Sequence, residues 1–141
     1  MDQTVTIIFF FSAILIVGGI LFAVISLTKN SPRTLDVEKY RSRWMNLEGQ
    51  LQRDQEHSYT VCVMNADKLL DQALKDRGIS GKTMAERMKQ CQGKWTNGNG
   101  IWAAHKIRNK LAHEPDARID YERAKQALYA YKQGLKDLGA I

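Results

Sequence analysis

Residues Ile101–Pro115 read IWAAHKIRNKLAHEP, and this stretch indicates how the chain folds. Ala104, Ile107 and Leu111 recur at the spacing of one face of an α-helix, with Ala103 beside them. We expect the helix to begin near Ile101. It should end near His113, because Pro115 pushes the preceding residue out of the α region.

The same helical period continues on both sides of this stretch. Between positions 34 and 77 it predicts one long helix, or two helices with a break in the polar segment 52–58, and Gly78 then acts as a C-terminal cap. Apolar residues at helical spacing form the expected core: Tyr40, Trp44, Leu47, Leu51, Val61, Cys62, Ala66, Leu69, Leu70, Ala73 and Leu74.

Two further helices are predicted. Thr83 and Glu86 have the spacing of a capping box, so a short helix should cover about 84–91. The connector 92–100 contains Asn97-Gly98 and Asn99-Gly100, pairs that favour positive φ. A last helix should run from about Asp120 to Gly139, with this inner face: Tyr121, Ala124, Leu128, Tyr131, Leu135 and Leu138. No segment alternates like a strand, so the fold class is all-α, an antiparallel bundle of four to five helices.

An apolar segment precedes this domain. Residues 5–27 form an unbroken run of 23 uncharged residues, and about 20 suffice to cross a bilayer. The alternative, a cleaved signal peptide, has a basic start, a shorter apolar run and a small-residue cleavage site. We therefore expect a single-pass transmembrane anchor over residues 1–30 and a helical domain over 31–141, whose start is marked by Ser31, Pro32 and Thr34.

The charge distribution predicts the orientation of the anchor. Lys29, Arg33, Lys39, Arg41 and Arg43 follow the apolar run, and no Lys or Arg precedes it. By the positive-inside rule the C-terminal domain should be cytoplasmic. The 114 residues after the span suffice for one core.

The domain is basic and poor in cysteine. After the span, 21 Lys and Arg face 14 Asp and Glu, a formal charge of +7 that suits a polyanionic partner. Cys62 and Cys91 are too few for a metal site, and we interpret both as core thiols. The string Gly81-Lys82-Thr83 is not a nucleotide-binding P-loop, because position 76 is Asp where that motif needs Gly.

The segment Arg108–His113 has the residue types that hold a phosphate and move a proton. Arg108 would bind the scissile phosphate through its planar guanidinium. His113, at the negative end of the helix macrodipole, would act as a general acid or base toward a ribose hydroxyl. Asn109 lies one turn and His105 two turns earlier, on the same face as His113. No metal or cofactor is required.

A structural role explains the same residues differently. Arg108 would then pair with Glu114, Asp116 or Asp120, Asn109 would bond a neighbouring loop, and His113 would cap the last carbonyls. An Arg followed five residues later by a His also arises by chance in a chain with this many arginines. His105 alone is more typical of a partly buried polar residue than of a catalytic one.

The string Trp102–Glu114 resembles the signature helix of HEPN domains, which carry Arg, four to six residues, then His, often with Asn directly after the Arg. Residues 66–74 and 121–138 are similar to the framing helices of that family, so the resemblance covers about residues 35–139.

The resemblance implies a face-to-face homodimer in which two motifs form one cleft that cuts RNA without metal. On this hypothesis Arg108 and His113 are catalytic, Asn109 orients them, and Lys106, Lys110 and His105 bind RNA. The alternative is a non-catalytic HEPN-like module that dimerises or docks an unknown protein at the membrane. The anchor departs from soluble members of the family.

Overall fold

The computed structural model describes residues 2–29 and 33–141. Within them the chain is all-helical and contains no strand, which confirms the predicted fold class. The helices are α1 (Gln3–Lys29), α2 (Val37–Gln50), α3 (Glu56–Asp76), α4 (Met84–Gln90), α5 (Gly98–His113) and α6 (Tyr121–Asp137). They form two compact units that divide between residues 32 and 33.

The first unit is the apolar helix α1. Its segment Gln3–Thr28 has a mean hydropathy of 2.9, and its side chains are exposed throughout. The hydroxyls of Ser12 and Thr28 donate to Ile8 O and Val24 O, each at 2.7 Å, so these polar groups are satisfied within the helix. The helix is long and apolar enough to span a membrane.

The second unit is a bundle of five helices around α3. This helix packs against α2, α4, α5 and α6, and α5 also packs against α6. Most of the predicted core is buried. Some expectations differ. Val61 is only partly buried and Val63 takes its place in the core, and Ala103 is exposed. Four other predicted core residues are only partly buried and pack against the core: Leu51, Ile107, Leu111 and Tyr121.

Separate helices α2 and α3 follow the first unit, so the alternative of one long helix is wrong. Asp36 caps α2 by accepting a hydrogen bond from Lys39 N at 3.1 Å, which makes Asp36, and not Thr34, the N-cap. The predicted boundary residues Ser31 and Pro32 lie outside the described residues. Between α2 and α3 the chain turns at Asp54, which has a φ of 70°.

Gly78 ends α3 as the sequence predicts. It has a φ of +82°, and Ile79 N donates to Leu74 O at 3.0 Å while Gly78 N donates to Lys75 O at 2.9 Å. This is the Schellman arrangement, which satisfies the last carbonyls of the helix. The glycine therefore fixes where the chain leaves α3.

The cap of α4 differs in detail from a capping box. Glu86 N donates to Thr83 Oγ1 at 3.2 Å, as expected. The Glu86 carboxylate, however, accepts from Lys82 N at 2.7 Å, one residue before the position that the motif predicts. Helix α4 still begins at Met84.

Helix α5 begins at Gly98, three residues earlier than predicted. The prediction of positive φ in Asn97–Gly100 is wrong, because Asn97 instead caps the helix by accepting from Gly100 N at 3.0 Å. A Cβ on Gly100 would lie 2.2 Å from Asn97 Nδ2, so this glycine makes room for the cap. At the other end α5 stops at His113, and Glu114 is extended before Pro115, as predicted.

Candidate functional site

A cleft between α3, α5 and the start of α4 contains three of the predicted site residues. It is open to solvent and has a volume of about 690 Å³. We call it the α3–α5 cleft, and its lining is Met64, Asn65, Asp67, Lys68, Asp71, Thr83, Met84, Ala85, His105, Arg108 and Asn109.

A ring of polar contacts forms one wall of the α3–α5 cleft. Asp67 Oδ1 lies 2.7 Å from His105 Nδ1 and accepts a hydrogen bond from Tyr131 OH at 2.9 Å. On the far side of the imidazole, Asn109 Nδ2 lies 3.3 Å from His105 Nε2. Asn109 Oδ1 in turn accepts from Arg108 Nη1 at 2.9 Å. The ring closes where Arg108 Nε lies 3.1 Å from Asp67 Oδ2.

These contacts fit one tautomer of His105. In that tautomer Nδ1 donates to Asp67 and Nε2 accepts from the Asn109 amide. The His105 side chain is 12 % exposed and that of Asp67 is 4 % exposed. The imidazole is therefore fixed in orientation, and its contact with solvent is limited to the cleft side.

The ion pair of Arg108 is electrostatic and not a hydrogen bond. Nε is buried and makes no aligned hydrogen bond, although it lies close to Asp67 Oδ2. The side chain as a whole is 32 % exposed. Within residues 2–29 and 33–141, Nη2 makes no hydrogen bond, so one edge of the guanidinium remains able to bind an anion.

Tyr131 supports the ring from the core. Burial raises the pKa of the Tyr131 phenol above its ordinary value, and the Asp67 carboxylate raises it further. The phenol therefore stays a donor to Asp67. Through this bond α6 helps to hold the carboxylate that faces α5.

A second ion pair stabilises the rim of the α3–α5 cleft. Asp71 on α3 accepts from Arg87 Nε at 2.8 Å, and Arg87 Nη1 donates to Gly81 O at 2.6 Å. Lys75 Nζ also lies 3.0 Å from Asp71. These contacts join α4 and the chain before it to α3. The two cations also balance the negative charge of Asp71.

His113 does not line the α3–α5 cleft. It lies at the exposed end of α5, about 7.5 Å along the helix axis and about 140° around it from Arg108. Lys106 and Lys110 are also exposed, and Lys110 Nζ is 4.0 Å from Glu114. The ring thus joins Arg108, Asn109 and His105, while the other three predicted residues lie on the adjacent solvent-facing side.

Asp67 is the site residue that the sequence analysis missed. The structural hypothesis had Arg108 paired with an acidic residue after α5, but its partner lies on α3. A signal was present, because Asp67 falls between Val63 and Leu70 in the buried stripe of α3. A carboxylate at such a position is rarely buried without a partner.

The two cysteines are core thiols, as predicted. Cys62 and Cys91 are buried and free, and burial raises the pKa of both thiols. In the described parts of the chain no three His, Cys, Asp or Glu side chains are placed to hold a metal ion.

Comparisons of the chain with protein-family models, with curated proteins and with solved structures found no match.

Proposed function

We propose that the protein is a membrane-anchored, metal-independent endoribonuclease of the HEPN type that acts as a face-to-face homodimer. The observation that carries the proposal is the position of Arg108. Its guanidinium lies in the wall of an open cleft, is oriented by Asp67 and Asn109, and keeps Nη2 without a hydrogen bond in the described residues. An arginine held in this way binds a phosphate oxygen and stabilises the charge that develops on it.

The chemistry assigned to His113 is proton transfer. An imidazole accepts the proton of a ribose 2′-hydroxyl, whose oxygen then attacks the adjacent phosphorus. As the new bond to the 2′-oxygen forms, the bond to the 5′-oxygen breaks and that leaving oxygen takes up a proton. The products are a 2′,3′-cyclic phosphate and a free 5′-hydroxyl. The exposed position of His113 leaves its ring accessible to substrate.

The separation of Arg108 and His113 supports a site shared by two copies. Within one chain the two side chains project from different sides of α5. A second copy facing the same helix supplies the complementary group from the other side. Lys106 and Lys110, which are exposed, then extend the positive surface along which RNA lies. His105, expected from the sequence to bind RNA, instead holds Asn109 within the ring.

The first unit supports attachment to a membrane. Helix α1 has the length and apolarity of a span, and the cations from Lys29 to Arg43 follow it. By the positive-inside rule these cations favour an orientation with the helical domain on the cytoplasmic side. Protease added outside sealed cells should therefore leave the domain intact, and cleavage of the domain in sealed cells would contradict this orientation.

A specific contact favours a second candidate function. Because Arg108 already makes contacts with Asp67 and Asn109, the ring also suits a non-catalytic module that dimerises or docks another protein at the membrane. On this alternative the ring fixes α5 against α3 and α6, and the chain does not cut RNA.

A cleavage assay tests the proposal. The full chain, purified in an uncharged detergent, should cut a short single-stranded RNA in the presence of EDTA. His113→Ala should lower the rate about 100-fold or more, the range that general acid–base catalysis contributes. His57→Ala is the matched control, since His57 is also exposed but lies in the first turn of α3.

The same preparations separate the two candidates. If wild-type protein leaves RNA intact while sedimentation shows a dimer, the scaffold function is favoured. A monomer at high concentration would contradict the shared nuclease site and the dimerising form of the scaffold, and would leave only the docking of another protein.

A further inference from the structure

A second surface pocket adjoins the α3–α5 cleft across α3. It lies between α2 and α3 and has a volume of about 240 Å³. Asn65 and Lys68 line both depressions. We call the second one the α2–α3 pocket, and its remaining lining is Arg43, Asn46, Leu47, Gln50, Leu69 and Gln72.

The α2–α3 pocket has cations and amides but no carboxylate in its lining. Arg43 and Lys68 are exposed, and neither forms an ion pair with any described residue. The nearby Asp76 carboxylate accepts from Tyr40 OH and from Gln72 Nε2 at 2.5 and 2.8 Å, and it attracts Arg43 only from beyond ion-pair distance. The two cations therefore remain available to an external anion.

The α3–α5 cleft and the α2–α3 pocket together form a surface that extends from α5 over α3 to α2. Helix α3 packs against both α5 and α2, and packed helices have axes about 8–10 Å apart. The distance from the α5 axis to the α2 axis is thus at most about 16–20 Å. Arg108, Lys68 and Arg43 follow one another along this path, one from each helix. This spacing suits a ligand that carries several anionic groups in a row.

The amides indicate what kind of polyanion fits. Asn46, Gln50 and Asn65 carry both donors and acceptors, so they can pair with base edges while the cations bind phosphates. Base edges offer both kinds of group, and they are free in single-stranded RNA but largely paired in a duplex.

From these contacts we infer that a single strand of RNA leaves the Arg108 cleft across Lys68 and continues into the α2–α3 pocket, where Arg43 binds a further phosphate. This inference rests on the proposed function, because it extends the substrate path of the same site. It adds Lys68 and Arg43 to the binding surface, and the Arg-His motif contains neither residue.

A binding titration tests this RNA path without any contribution from RNA cleavage. The probe is a short fluorescein-labelled RNA with 2′-O-methyl riboses, which cannot be cut by attack of a 2′-hydroxyl. Fluorescence anisotropy with the full chain in uncharged detergent gives Kd at several salt concentrations. The test variant is Arg43→Ala with Lys68→Ala. The matched control is Lys125→Ala with Lys136→Ala, which removes two exposed cations of α6.

Each phosphate contact on a single strand contributes about 0.7 to the slope of log K against log salt. The test variant should therefore lose about 1.4 from that slope, which is about a 25-fold weaker Kd near 0.1 M salt. The control should change Kd less than about 3-fold, because it removes general charge and no phosphate contact.

Each other outcome overturns the inference. Equal losses in the two double variants would mean that net charge alone attracts RNA. Displacement of the probe by polyglutamate as effectively as by unlabelled RNA would show a surface that does not distinguish RNA from an acidic peptide, and no binding by wild type would exclude the path. If the path variant binds as predicted but wild type does not cut unmodified RNA, only the nuclease proposal fails.

Discussion

His105 Nδ1 lies 2.7 Å from Asp67 Oδ1, and this contact joins α5 to the central helix of the bundle. The same carboxylate oxygen accepts from Tyr131 OH at 2.9 Å, so three helices meet at one buried atom. Asp67 therefore has two roles. It orients the ring that presents Arg108 to the cleft, and it stabilises the fold.

Replacement of Asp67 by Asn should destabilise the domain. The change keeps the shape but removes the charge that pairs with Arg108, and an unpaired, partly buried cation costs about 2–3 kcal/mol of unfolding free energy. Urea denaturation followed by Trp fluorescence measures this change, because Trp44, Trp95 and Trp102 all lie in the second unit.

Asp116→Asn is the matched control for that measurement. Asp116 is exposed in the loop after α5, and its substitution should alter stability by no more than about 0.5 kcal/mol. Equal effects of the two substitutions would mean that the ring contributes nothing to stability.

Stability should fall at high pH because of Tyr131. Its pKa is raised in the folded state by burial and by Asp67, whereas an unfolded Tyr titrates near pH 10. Above about pH 10 the folded state thus binds more protons than the unfolded state, so the unfolding free energy decreases as pH rises, by up to about 1.4 kcal/mol per pH unit. Tyr40 adds to this slope, since burial and Asp76 raise its pKa as well.

Tyr131→Phe should flatten this pH dependence while costing about 1.5 kcal/mol at neutral pH for the lost hydrogen bond. Tyr129→Phe, on the same helix but 65 % exposed, should leave both the slope and the neutral-pH stability unchanged. Unfolding free energies measured at several pH values between about 8 and 11 compare the variants. Identical slopes in wild type and Tyr131→Phe would contradict the role of the buried phenol.

The cap of α5 gives a third prediction. Gly100→Ala places a Cβ 2.2 Å from Asn97 Nδ2, so the Asn97 cap must break at a cost of about 1 kcal/mol. In Gly49→Ala nothing lies within 4 Å of the new Cβ, and the better helix propensity of Ala should make this change neutral or stabilising by up to about 1 kcal/mol. Both substitutions gain the helix propensity of Ala, so the difference between them measures the cap. Thermal unfolding of the full chain should give the lower melting temperature for Gly100→Ala, and equal melting temperatures would exclude the cap.

Local signals in the sequence predicted most of the fold. Gly78 ends α3 and Pro115 limits α5, because each acts on the backbone of its immediate neighbours. The start of α5 was predicted wrongly for a related reason. Asn is common both in turns and at helix N-caps. Asn97 is an N-cap here because Gly100, three residues later, leaves room for its side chain and donates to it.

The candidate site was predictable only in part. Arg108, Asn109 and His105 share one helix, so their spacing alone places them near one another. Asp67 lies 38 positions before His105, and Tyr131 lies 64 positions after Asp67. The helical period of a sequence does not specify which faces of two distant helices meet. Their contacts depend on the packing of α3 against α5 and α6.

The most direct test of the proposed function is the chemical nature of the RNA ends that the full chain produces in EDTA. Attack by the 2′-hydroxyl predicts 2′,3′-cyclic phosphates, which resist a phosphomonoesterase until acid opens the ring, and 5′-hydroxyls that a kinase can label at once. Arg108→Ala should remove these products. Intact RNA from a folded preparation, or fragments with 5′-phosphate and 3′-hydroxyl ends, would contradict a metal-independent HEPN-type nuclease.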